Sequence, residues 1–173
     1  MRVVAGLDRF RDAQADPRAG FTSALRELQA GRKTGHWIWY VFPQLAGLGR
    51  SATAVHYGLT DAAEAADYLR DPVLGERLVE AAAAVRSHLT GPRRIGLVSL
   101  MGSAVDALKL VSSMTLFAHV ATALSATEPA PRFETMADHA HAILTAAVAG
   151  GYDRCAFTEE HLRRSRSSSP GPG

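Results

Sequence analysis

One cysteine, Cys155, stands among 173 residues, so no disulfide can form within the chain and a reducing compartment is expected. The N-terminus lacks the apolar run of a signal peptide. No window offers the roughly 20 consecutive apolar residues that span a bilayer. These absences predict a cytoplasmic protein with no membrane partner. Phosphate- and cofactor-binding glycine patterns are missing too. There is no Gly-x-Ser-x-Gly elbow, and Gly47-Leu48-Gly49 has neither the third glycine nor the preceding strand of a dinucleotide site, so no cofactor is implied. The seven histidines show no ligand spacing with the cysteine, and His139 and His141, two apart on a helix, point to different sides. No metal is expected.

Basic surplus is also scarcer than the totals suggest. The chain has 19 Lys and Arg against 17 Asp and Glu, with a pI near 9.0. Arg163, Arg164 and Arg166 lie in an acid-free terminal stretch, and without them 16 bases face 17 acids. A nucleic-acid binder would carry its basic face on the folded part, so no nucleic-acid partner is expected of the body.

What is present favours helix. Alanine is abundant and β-branched residues are scattered. A first helix is expected over Leu7–Ala15. Asp16-Pro17 reads as a stop and the start of a second, in which Phe21, Ala24, Leu25 and Leu28 keep the i, i+3, i+4, i+7 rule up to Gly31. Ser51 is placed to cap a short helix through Tyr57. Asp61 with Glu64 three residues on is a helix start that runs to Arg70, and Asp71-Pro72 opens a helix closed by Gly91-Pro92. Ile95–Leu100 reads as a helical turn. Long helices follow over Ser103–Ser125 and from Phe133 to Val148, and Thr158 is a candidate cap for a last turn. The reading is an all-α, compact multihelical single domain over residues 1–162. A disordered basic Arg/Ser/Pro/Gly tail is expected over 163–173.

The compositionally rare stretch is His36-Trp37-Ile38-Trp39-Tyr40-Val41-Phe42-Pro43-Gln44. It holds both tryptophans and four of the twelve aromatics. It is apolar on both faces, so periodicity does not separate a buried strand from a buried helical turn. Aromatics this dense need walls, and the helices around them are expected to supply those.

Those residues, preceded by Gly31-Arg32-Lys33 and continued by Leu45 and Gly47-Leu48-Gly49-Arg50-Ser51, resemble the signature of the bacterial domain-of-unknown-function family 1810. Asp71-Pro72-Val73-Leu74-Gly75, Arg77-Leu78, Asp106, Lys109-Leu110 and Ser112 to Phe117 agree with it. The resemblance runs over about residues 7–162 and implies a mainly α-helical fold. Members sometimes carry the label calpastatin, yet nothing here resembles an extended protease inhibitor. The family is distantly similar to N-glycosidases that act on ADP-ribose-related and riboflavin-pathway metabolites, although the glutamate motifs of those enzymes are not evident.

Chemistry is expected where the aromatic stretch meets the start of the long helix. At 100° per residue, Asp106, Lys109 and Ser113 fall within about 60° of one another. Burying such charges unpaired costs several kcal/mol, so they should pair with each other or face a ligand. Arg32, Lys33, His36, Arg50 and Lys109 are candidate donors for an anionic group. Trp37 and Trp39 are candidates to stack on a flat ring, and Gln44, Ser112, Ser113 and Thr115 to orient it. Asp106 is the candidate general acid or base. This constellation suits a protein that binds a small nucleotide- or ribose-containing metabolite and, if it is an enzyme, hydrolyses it. The alternative is a non-catalytic protein-interaction module whose tryptophans are core.

Overall fold

In the computed structural model, which describes residues 6–167, the longest helix is also the one most enclosed by the others. This helix, α8 (Ala104–Thr127), is buried at nine successive positions from Leu110 to Ala118, the pattern of a helix surrounded on every side. It is long and apolar enough to cross a membrane by length and composition, which the chain-wide reading did not anticipate. However, 72% of that apolar window is covered by the rest of the protein, as in a core helix.

The remaining helices are α1 (Asp8–Ala15), α2 (Phe21–Gln29), α3 (Ile38–Val41), α4 (Ala52–Tyr57), α5 (Ala62–Arg70), α6 (Pro72–Thr90), α7 (Leu97–Met101), α9 (Pro131–Ala149) and α10 (Ala156–Ser167). Among the described residues there is no strand, only an isolated bridge between Leu45 and Leu59. α9 packs along α8 and α6, and α5 packs on both α6 and α8. The fold is all-α.

The caps explain most starts. Asp61 accepts from the Glu64 amide at 2.9 Å and so caps α5, while Glu64 accepts from the amide of Thr60, one residue before the cap, at 2.7 Å. Asp71 accepts from Val73 and Leu74 ahead of Pro72, and Ser103 accepts from Asp106. Three expectations are corrected. Asp16 takes the amides of Arg18 and Ala19 in a turn, and α2 begins only at Phe21. Thr158 lies buried inside α10 and caps nothing; its hydroxyl donates to the Cys155 sulfur. Helix α10 continues through Arg163, Arg164 and Arg166 to Ser167, where the disordered tail was expected to have begun. Glu160 pairs with Arg163 and Arg164 one turn on, and such pairs extend an exposed helix. Residues 168–173 of that tail lie outside the described residues.

The aromatic stretch resolves as helix: α3 is a single turn. Its approach is fixed from outside by Glu27 of α2, whose carboxylate accepts from the Thr34 amide, the Gly35 amide and the Trp37 indole at 2.7–2.9 Å. Burial opposes ionisation of Glu27, but these donors outweigh it and hold the carboxyl below its usual range. Around α3 the rings interlock. Phe10 meets Tyr68 edge-on at 5.1 Å, and Tyr68 meets Phe117 of α8 at 5.7 Å.

Candidate functional site

The turn at 31–35 and the start of α8 are brought together by backbone before any side chain is considered. The Lys33 amide donates to the Leu100 carbonyl at 2.8 Å. Gly102 lies in the left-handed region at φ 78°, and a Cβ there would sit 2.6 Å from the Lys33 carbonyl oxygen. Only glycine allows this approach without strain.

The approach places Lys33 beside Asp106. The Lys33 ammonium lies 2.6 Å from Asp106 Oδ2, and the Lys109 ammonium lies 3.1 Å from Oδ1. Lys33 also donates to the Gly35 carbonyl, and its side chain is only 4% exposed. Burial alone would raise the Asp106 pKa; the two lysines more than offset it and keep the carboxyl below its ordinary value. Asp106 is therefore an ionised carboxylate with a cation on each oxygen. That geometry suits an anchoring group, not a proton donor at neutral pH.

Both tryptophans lie under these lysines. Lys33 Nζ is 5.1 Å from the Trp37 ring centre and Lys109 Nζ is 4.1 Å from that of Trp39. Trp37 is core, 1% exposed. Trp39 is half-buried, and its indole Nε1 has no partner although the atom is shielded from solvent. Beside it opens a cleft of about 510 Å³, with Trp39 and Lys109 on its wall, Gln44 and Ser112 within it and Arg50 on its rim.

The other expected site residues go elsewhere. Arg32 and His36 are exposed and line no part of this cleft. Lys33 and Trp37 are buried and do not line it, and Lys33 reaches it only through the Asp106 carboxylate it shares with Lys109. Ser113 is fully buried with its hydroxyl unpartnered, whereas Ser112 bonds back to the Leu108 carbonyl. Thr115, one turn further along α8, donates to Val111, accepts from the Cys155 amide and lines a different groove. The sequence reading missed the apolar rim of Leu48, Ala54, Val105 and Leu108; the exposure of Val105 (61%) and Leu108 (54%) on a core helix is visible only in three dimensions. It also missed Glu27. Among the described residues no group of three or more His, Cys, Asp and Glu is placed to hold a metal ion.

Comparison with known proteins adds kinship but no chemistry. No curated protein matches the chain. A solved structure, that of the conserved hypothetical protein Rv1873 from Mycobacterium tuberculosis, is similar at 40% sequence identity with a TM-score of 0.68. The match covers 86% of this chain and 91% of that one. Residues 4–142 match the profile described as protein of unknown function DUF1810, and the chain belongs to that family.

Proposed function

We propose that the cleft beside Trp39 binds a small anionic metabolite of the nucleotide- or ribose-containing class in the cytoplasm. The observation that carries this reading is the charge balance of the Lys33–Asp106–Lys109 triad. One carboxylate is shared by two ammonium groups, so one positive charge is left over, and Lys109 holds it at the cleft wall with Arg50 nearby. An anionic group entering there would meet the Lys109 ammonium already held in place by Asp106 and Trp39. A flat ring would rest on Leu48 and Leu108, because one face of Trp39 is already covered by Lys109. Binding is favoured over hydrolysis, since the ionised, doubly occupied Asp106 is poorly suited to proton transfer.

A thermal-shift screen of nucleotides and ribosylated metabolites tests the reading. A ligand should raise the melting temperature of the wild type by mass action and leave Lys109→Gln and Arg50→Ala unmoved. Equal shifts in all three proteins would overturn it. The exposed apolar rim of Val105 and Leu108 favours the second reading, a surface for a protein partner. A screen without any shift, joined to loss of a partner on Val105→Asp, would establish that reading instead.

A further inference from the structure

A second hollow lies at the other end of α8, and nothing in the reading of the Trp39 cleft uses it. It runs between α8 and α10 with His141 of α9 at one side, and its volume is about 610 Å³, within the range of small-ligand sites. Its floor is apolar: Ala118, Ala123 and Ala126 from α8 and Leu162 from α10. Its lining carries Arg154, Arg163 and Arg166 against one carboxylate, Glu159, a surplus of two positive charges. Including the neighbouring pair Arg164 and Glu160 leaves that surplus unchanged.

The polar groups are arranged as donors. Among the described residues Arg154 has no partner. Arg163 meets only Glu160, at 3.0 Å, with its side chain 71% exposed. Arg166 lies 3.2 Å from His119 Nδ1; the guanidinium must donate, so that nitrogen accepts and the ring proton sits on Nε2. Thr122 donates to the Ala118 carbonyl at 2.7 Å, so its contact with His141 Nε2 at 3.3 Å makes that histidine a donor as well. The His141 N–H is thereby spent on Thr122, and the guanidinium groups of Arg154, Arg163 and Arg166 over the apolar floor match a ligand with a negative head and a greasy body.

We propose that the α8–α10 groove is a binding site for a small organic anion, with a phosphate or carboxylate head held by Arg154, Arg163 and Arg166 and an apolar body resting on Leu162 and the α8 alanines. The site is separate from the Trp39 cleft and stands whether or not that cleft binds a metabolite.

Calorimetric titration of the full chain with 1-naphthyl phosphate, octanoate, 2-naphthol and inorganic phosphate tests it. The wild type should bind at least one of the two amphipathic anions, more tightly than inorganic phosphate or the uncharged naphthol. The Arg154→Ala/Arg166→Ala double variant changes exposed side chains only and should weaken that binding at least about tenfold. Ala123→Trp, which fills the floor, should abolish it, and Lys109→Gln should leave it unchanged. Binding of the carboxylate alone or the phosphate alone would name the head group. The proposal is overturned by unchanged binding in the double variant, by naphthol binding as tightly as its phosphate, or by no binding of either amphipathic anion. Loss of binding in Lys109→Gln but not in Ala123→Trp would also overturn it, by moving the ligand to the other cleft.

Discussion

The two ends of α8 hold positive charge in opposite ways. At the N-terminal end Lys33 and Lys109 are drawn onto one carboxylate, roofed over indole rings and, in the case of Lys33, almost sealed from water. At the C-terminal end Arg154, Arg163 and Arg166 stand in solvent around an apolar floor. The first arrangement ties charge to the fold. The second keeps it at the surface, where Arg163 meets Glu160, Arg166 meets His119 and the net surplus stays positive. Buried ions are costly to orphan, while exposed ones contribute little to stability, so the contrast can be measured.

The largest expected effect is at the sealed end. Asp106→Ala strands Lys33 without its counter-charge and should cost about 3–5 kcal/mol in chemical denaturation. Asp106→Ala no more destabilising than a surface change would mean that the triad is solvated and the contrast false. Next comes the junction that brings Lys33 into reach. Gly102→Ala adds a Cβ against the Lys33 carbonyl in a left-handed residue, and a loss of about 2 kcal/mol should be read by the same assay.

Acid should act in two steps. His119, by burial and then by Arg166, and His139, by burial and then by Arg86, are held below the ordinary histidine pKa of about 6.5. The unfolded chain therefore takes up their protons first. The stability these groups contribute is complete above that value and declines as pH falls from it towards their lower folded values. A second decline, below about pH 4, should follow as Asp106 and Asp71 lose the charge that their partners hold in place. Melting temperature against pH would show both steps, and Asp106→Asn should remove part of the lower one. The smallest effect belongs to the open end, where Arg166→Ala should shift stability by no more than about 0.5 kcal/mol.

Much of the architecture was legible because its signals are local. Asp61 with Glu64, Asp71 with Pro72 and Ser103 mark helix starts through atoms within four residues of one another. The pairing of Asp106 with Lys109 is of the same kind, since helical spacing alone puts them on one face. The tryptophan stretch was not legible as helix or strand. The approach to it is held by Glu27, a residue on another element whose role no periodicity encodes. Asp16-Pro17 was misread because the same cap chemistry serves a turn and a helix equally well. The tail reading failed at Arg163 because low complexity in composition hid the Glu160 pairings that carry α10 onward. Lys33 was read as a donor for a ligand, whereas the fold gives it to Asp106 through a backbone approach at Gly102. The α8–α10 groove needs three helices to exist, so no stretch of sequence displays it.

The unequal surroundings of the two indoles give the chain an optical gauge of its own. Trp37 is locked in the interior with its N–H on a carboxylate, while Trp39 faces the cleft with its N–H unclaimed and an ammonium over its ring. With no third tryptophan to dilute the signal, a change in ultraviolet emission when the cleft fills would come from Trp39, against the steady background of Trp37. Occupancy could then be followed in the unmodified protein, without dye or tag.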